Sequence, residues 1–252
     1  MPHRRDRAGG AADMTLLSLQ NVSKSFGQLK VADDVTFEVP AGQALGIIGP
    51  NGAGKSTLFN LITGNLRSDA GTIRFDRHDL TKAPAMQRCF AGVGRSFQVP
   101  QPFDNMTVFE NLLVAATHGR KAPERDVQAD CARILGQCGL LQAANQPAGG
   151  LALLQRKRLE MARALATNPK LLLLDEIAGG LTEAECLSLV DTIRSVHARG
   201  VTIIWIEHVL HALTSVVERL LVLNFGKVIG LGAPDDIMNR AEVREIYLGA
   251  GV

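Results

Sequence analysis

The 252-residue chain is short of several features that would classify it at once. Its longest apolar runs, such as VTIIWI at 201–206, reach about six residues, where a bilayer-spanning helix needs roughly 18. A transmembrane segment is therefore not expected. The basic, glycine-rich stretch MPHRRDRAGGAAD at 1–13 has no apolar region of the kind a secretory signal requires. It reads as a disordered tail, with contact to a membrane surface as the alternative. No pair among Cys89, Cys131, Cys138 and Cys186 has CxxC spacing, which argues against a zinc site. Cys131 and Cys138 stand seven residues apart on one face of an expected helix and read as small apolar core filling. Reduced thiols fit a cytosolic protein. Neither sign of charge dominates: the net charge is +2, which argues neither for nor against nucleic acid. There are no internal repeats and no low-complexity segments.

What is present is ordinary globular composition, 46% hydrophobic and 21% charged, in a chain long enough to bury a core. LLSLQNVSKSF, DVTFEV and TIRF read as strands. QALGII is a continuous apolar strand, and KSTLFNLITG is a helix stopped near Gly64. From Met106 to about Leu165 the apolar spacing becomes helical throughout, as in VFENLLVAATH, RDVQADCARILGQ and QRKRLEMARALA. This predicts a helical subdomain, residues 99–168, inserted between core segments 14–98 and 169–252. KLLLLDE and VTIIWIEH resume the strands. Between them a helix opens on a capping box, Thr182 to Glu185, and stops at Gly200. RLLVL, NFG and KVIGLG read as a hairpin, and two short helices follow. Strands apolar on both faces, alternating with helices, predict an α/β fold with a parallel sheet covered by helices on both sides.

GPNGAGKST, between a strand and a helix, meets the pattern G-x-x-x-x-G-K-[ST] through Gly49, Gly54, Lys55 and Ser56. Glycine lets backbone N–H groups turn inward to cradle phosphate oxygens, and the following helix aims its positive end at them. The loop Gly49, Pro50, Asn51, Gly52, Ala53, Gly54, Lys55, Ser56 and Thr57 is thus the candidate phosphate site. Lys55 is placed to reach the β- and γ-phosphates, and the Ser56 hydroxyl to ligate Mg²⁺. Asp175 and Glu176 end the strand LLLL, where open α/β sheets place ligands. One carboxylate suits Mg²⁺ and its neighbour suits polarising a water. The alternative is a helix-cap pair, which the phosphate loop upstream disfavours.

The ordered set Phe26, GPNGAGKST, Gln98 in RSFQ, GGLALLQRKRLEMARALA, LLLLDE and His208 in WIEH resembles the ATP-binding subunit of an ABC transporter, over nearly all of 15–249. FQVPQPFDNMTVFENLLVAATHG and REIYLG look most like the branched-chain amino-acid importers, with importers of urea or short amides closely similar. The resemblance implies a P-loop NTPase core with a mixed sheet, N-terminal antiparallel strands and an inserted helical subdomain. It implies ATP and Mg²⁺ as ligands. Phe26 would stack on adenine, with a core phenylalanine as the alternative. Gln98 would sense Mg²⁺ and the attacking water, with an ordinary loop hydrogen bond as the alternative. Ser56, Gln98 and Asp175 would hold the metal, Glu176 would polarise the water, and His208 would contact the γ-phosphate. A metal pair of His208 with His211 is not favoured, since no third ligand is evident. The partners implied are membrane permease subunits, a second ATPase subunit and, indirectly, a solute-binding protein, with no nucleic acid. The implied location is the cytoplasmic face of the membrane, as a peripheral subunit.

The sequence departs from this family in one segment. Where the family reads approximately Leu-Ser-Gly-Gly-Gln, this chain has Leu151, Ala152, Leu153, Leu154 and Gln155. The hydroxyl that would donate to a γ-phosphate is missing, and Leu154 is expected to crowd the approach. Gly149 and Gly150 lie about one helical turn too early to substitute. Ile177, Thr182 and Val209 also differ from usual residues. The family's signature segment faces a partner's ATP, so the expectation is a heterodimer in which this chain's own Lys55–Glu176 site is completed by a normal partner. A nucleotide-binding regulatory module with little turnover is the competing expectation. A soluble ABC ATPase of translation or DNA repair is disfavoured, because such proteins carry two cassettes or long coiled insertions.

Overall fold

The computed structural model describes residues 14–248; the tail expected over 1–13 lies outside them. Thr15–Phe26 (β1) and Leu29–Pro40 (β2) pair antiparallel. Ala44–Ile48 (β3) follows, with every residue buried, and leads through the glycine loop into Lys55–Thr63 (α1). That helix stops where Gly64 takes φ 77°, a left-handed conformation that suits glycine. Ala70–Phe75 (β4) pairs with β1, and the two-residue His78–Asp79 (β5) completes a four-stranded antiparallel sheet in the order β2-β1-β4-β5.

Two elements that sequence patterning does not reveal come next. Ala85–Ala91 (α2) and Val93–Arg95 (β6) span seven and three residues, too few for a hydrophobic period to show. Buried Arg88 of α2 donates to the carbonyls of Leu61 and Ile62, satisfying the last turn of α1.

The inserted helices are Val108–Arg120 (α3), Glu124–Gln137 (α4) and Leu153–Ala166 (α5). Cys131 and Cys138 are buried as expected, although Cys138 lies one residue beyond α4, at its cap. Leu171–Asp175 (β7), Glu183–His197 (α6), Thr202–Ile206 (β8), Leu210–Thr214 (α7), Arg219–Asn224 (β9), Lys227–Gly232 (β10), Pro234–Met238 (α8) and Ala241–Leu248 (α9) complete the fold. Thr182 and Glu185 form the predicted capping box of α6. The β9–β10 turn places Phe225 and Gly226 at φ 43° and 76°, both left-handed, as a tight two-residue hairpin turn requires.

The main sheet has the order β10-β9-β3-β8-β7-β6. Its strands run parallel except for the edge strand β10, so the sheet is mixed. Its two faces follow the strand period of two. Ile48, Leu172, Leu174, Ile203 and Trp205 join the core formed with α3, α4, α5 and α6. Leu45, Ile47, Leu171, Leu173 and Ile204 join a second core with α1 and the antiparallel sheet. Helices thus lie on both faces as expected, and one face is shared between α1 and a second sheet. Strand β2 alternates buried and exposed residues along its second half, and that half-buried pattern suits a sheet packed on one side only.

Candidate functional site

The glycine loop is fixed by the backbone contacts its glycines permit. A Cβ on Gly49 would lie 2.1 Å from the Leu223 carbonyl oxygen, and one on Gly54 2.3 Å from that of Val31. Gly52 and Gly54 adopt φ 81° and 101°, left-handed values that glycine adopts without steric cost. Asn51 and Gly52 are exposed at the tip, while Ala53 is buried and its carbonyl accepts from Gly226 N at 2.9 Å. Lys55, the first residue of α1, is 6% exposed and folds back over the loop, donating to the carbonyls of Gly49 at 2.7 Å and Pro50 at 3.1 Å. Ser56 is exposed and Thr57 half-buried in the same first turn.

Sheet order explains the rest of the site. The glycine loop leaves the C-terminal end of β3. His208 lies beyond β8, Asp175 and Glu176 end or follow β7, and Gln98 lies beyond β6. These four strands are adjacent and parallel, in the order β3-β8-β7-β6. Glu176 therefore sits between its two neighbours. His208 Nε2 lies 2.9 Å from Glu176 Oε1, and the Gln98 amide donates to Oε2 at 2.5 Å. The carboxylate can only accept, so the imidazole N–H points at it. Buried Asp175 is paired with Arg95, Nη2 to Oδ2 at 2.7 Å, and Arg95 also donates to Asn60 at 2.6 Å.

Burial pushes the Lys55 ammonium below its usual range, while Glu176 and then Asp175 pull it back up, so Lys55 lies in the field of both carboxylates. Ser56 Oγ, the Gln98 amide oxygen and the second oxygen of Asp175 form a set of hard oxygen donors, the chemistry Mg²⁺ takes alongside substrate phosphates. Among the described residues no group of three or more His, Cys, Asp or Glu could hold a metal by itself. Phe26 does not join the hydrogen-bonded cluster. It stands 54% exposed at the end of β1, with Lys24 Nζ 5.6 Å from its ring centroid, and is not a core residue.

Three further side chains belong to this neighbourhood, and sequence reading assigned none of them. Arg95 occupies a strand too short to detect. Glu207, 1% exposed, accepts from Ala178 N at 2.9 Å and from His208 N at 2.9 Å, so it organises two loops at once. Its position beside an apolar strand end, like that of Asp175, was the available signal. Lys157 of α5 is 5% exposed and donates to the carbonyls of Gln98 at 2.7 Å and Glu176 at 3.3 Å. Its signal was a lysine on the apolar stripe of Leu154, Met161 and Ala164.

The divergent segment 151–155 opens α5. Ala152 is the N-cap, with φ −64° and ψ 162°, and it has no side-chain oxygen to cap the helix. The Gln155 side chain supplies the return half of a capping box, accepting from Ala152 N at 3.2 Å. Leu154 is half-buried against the core, and Leu153, 44% exposed, is the side chain that projects. Gly149 and Gly150 lie in a separate turn upstream, with Gly149 N bonded to Asp104 O at 3.0 Å.

A family model described as ABC transporter matches residues 32–179. The chain is 33% identical to the probable branched-chain amino acid transport ATP-binding protein LivG of Methanocaldococcus jannaschii, over 94% of this chain and 98% of that one. It is 35% identical to the high-affinity branched-chain amino acid transport ATP-binding protein BraF of Pseudomonas aeruginosa, over 93% and 98%. It is also 31% identical to the lipopolysaccharide export system ATP-binding protein LptB of Haemophilus influenzae, over 94% and 98%. Among solved structures, a nucleotide-free ATP-binding cassette from an ABC transporter superposes with a TM-score of 0.86 at 32% identity, covering 94% of this chain and all of the other. The ADP conformation of MJ1267, an ATP-binding cassette of an ABC transporter, matches with the same TM-score at 33% identity, over 94% and 99%. With the glycine loop, the mixed sheet and the inserted helices in the same order, this chain belongs to the ABC transporter family of ATP-binding subunits.

Proposed function

We propose that the chain hydrolyses ATP with Mg²⁺ and energises an importer of branched-chain or related amino acids from the cytoplasmic face of the membrane. The observation that supports this best is the Glu176 carboxylate held between the Gln98 amide and the His208 imidazole, at the strand ends next to the glycine loop. Bound Mg²⁺ supplies charge neutralisation between the phosphates. The chain's residues do the rest. Loop N–H groups and Lys55 hold the phosphate tail, Ser56, Asp175 and Gln98 offer oxygens to the metal, and Phe26 presents an exposed ring to the base. Glu176 orients and polarises a water in line with the terminal phosphate, His208 steadies that phosphate, and positioning with charge stabilisation supplies most of the rate. Import rather than export rests on the branched-chain relatives, since the export protein LptB is nearly as similar.

The membrane partner is read from one surface. Phe97, Val99 and Phe103 are exposed, and Phe97 lines a groove of about 260 Å³ with Ala115, Arg163 and Thr167. The Phe103 backbone is clamped by Asn111 and its ring lies under the Arg163 guanidinium, 5.2 Å from the centroid, so the half-exposed ring is held at the surface to receive a helix of a permease subunit. Phe103→Asp is expected to abolish co-purification of that subunit; unchanged recovery overturns the docking.

Replacing Glu176 by Gln tests the catalytic reading. The variant is expected to bind ATP, to lose about 10²-fold or more in turnover, and to trap an ATP-stabilised dimer. The segment 151–155 favours a second reading, a cassette that binds without turnover. Under that reading the variant behaves like the wild type.

A further inference from the structure

Glu176 occupies a conformation that only glycine adopts freely, with φ 45°. Besides the turn's own bond from Gly179 N to Glu176 O at 3.4 Å, three contacts hold it from outside. Glu176 N donates to Ile206 O at 2.8 Å, and Ala178 N donates to Glu207 Oε2 at 2.9 Å; both acceptors belong to β8 or the residue after it. The third contact comes from a different element, α5, where Lys157 Nζ reaches the Glu176 carbonyl at 3.3 Å. The same ammonium holds the Gln98 carbonyl at 2.7 Å. The Gln98 and Glu176 side chains meet at 2.5 Å, so one buried lysine fastens the main chain behind both members of that pair.

Lys157 is an odd choice for this place. It is 5% exposed, on a helical face where the other buried residues are apolar except Glu160, and Glu160 is paired with Arg163. Among the described residues it makes no ion pair, although Glu207, Glu176 and Asp175 are near enough to favour its charge against the opposing effect of burial. Packing alone would be served better by a leucine or methionine, since a buried ammonium is costly unless its hydrogen bonds are needed. Its bonds go to two carbonyls, and both belong to residues of the proposed water-polarising cluster.

We infer that Lys157 is a positioning residue: it sets the Glu176–Gln98 pair from the helical subdomain, so that the water-polarising carboxylate is aligned only when α5 is seated against the core. The inference rests on the hydrolytic reading above. Because the ammonium touches main chain and no nucleotide-binding side chain, it acts on the chemical step and not on ATP affinity.

The test compares wild type with Lys157→Met, which keeps the apolar stem, and Lys157→Arg, which keeps donors. Lys157→Gln serves as a second uncharged variant should the methionine protein fail to fold. On the full chain, amide hydrogen exchange is followed over 97–103 and 176–180 without nucleotide, and ATP affinity by titration. Turnover is measured in the complex with membrane and partner ATPase subunits. The expected result for Lys157→Met is faster exchange in both segments together, by about tenfold, with ATP affinity within about twofold of wild type. Its kcat is expected to fall by about 10²-fold at unchanged KM, as for a misplaced catalytic group. Lys157→Arg is expected to restore most of both. Exchange that rises in one segment only or in neither, or a raised KM with unchanged kcat, overturns the inference. A wild-type complex that binds ATP without turning it over sinks the hydrolytic reading, while the exchange comparison still reports on the clamp, so the two failures are distinguishable.

Discussion

A single lysine shows how the proposed phosphate loop is ordered by the chain's own groups. Lys55 is buried, and its ammonium is satisfied by the carbonyls of Gly49 and Pro50. Those carbonyls hold the charge in place over the loop, and the fields of Glu176 and Asp175 oppose the lowering that burial causes. Lys55→Met removes the charge and keeps the stem. We expect it to weaken Mg²⁺–ATP binding by about 10- to 100-fold, the cost of about 1.5–3 kcal/mol for one charged hydrogen bond, measured by titration calorimetry. Folding should lose about 1–3 kcal/mol as well, because the Gly49 carbonyl it leaves is buried. An unchanged affinity would remove the basis of the phosphate assignment. Glycine is needed for a different reason at Gly49 and Gly54, where a Cβ would meet a neighbouring main-chain oxygen.

At the scale of elements, the start of α5 is the unusual feature. The backbone of Ala152 already has N-cap geometry, and Gln155 already closes the return half of the box. Only the cap side chain is missing. Ala152→Ser is therefore expected to stabilise the protein by about 1 kcal/mol, raising Tm by about 2–4 °C in a thermal melt. The capping boxes of α3 and α6 have the hydroxyl that α5 lacks, with Thr107 and Thr182 each accepting from the N–H three residues on. Hydrogen bonds from Thr107 and Thr182 hold the Glu110 and Glu185 carboxyls below the usual range. Their contribution is present above the ordinary glutamate pKa and is lost as pH falls through the depressed folded value. The effect of Ala152→Ser should show no such loss, since neither serine nor glutamine titrates there.

For the whole molecule, the Lys55–Glu176 site and the altered segment 151–155 point to different outcomes under the proposed dimer, in which each would act on a different nucleotide. In a head-to-tail dimer this chain's loop is completed by its partner's signature segment. The isolated chain is expected to turn over ATP slowly, and adding a cassette with a Ser-Gly-Gly signature to raise the rate by about tenfold or more, read in a steady-state assay. A full transporter rate from the chain alone would overturn the heterodimer. The sequence by itself determined those parts whose geometry is local. The phosphate loop, the cap of α6, the stop at Gly64 and the β9–β10 turn each lie within one contiguous segment, where glycine freedom and side-chain reach decide the outcome. The family pattern also singled out Gln98, Glu176 and His208. Their meeting was decided only by the tertiary structure, because 78 and 32 residues separate Glu176 from its two neighbours and only the parallel order β8-β7-β6 brings those strand ends side by side. The roles of Arg95, Glu207 and Lys157 also needed the tertiary structure: even where a strand end or an apolar stripe hinted at burial, as for Glu207 and Lys157, the partners come from elements distant in sequence.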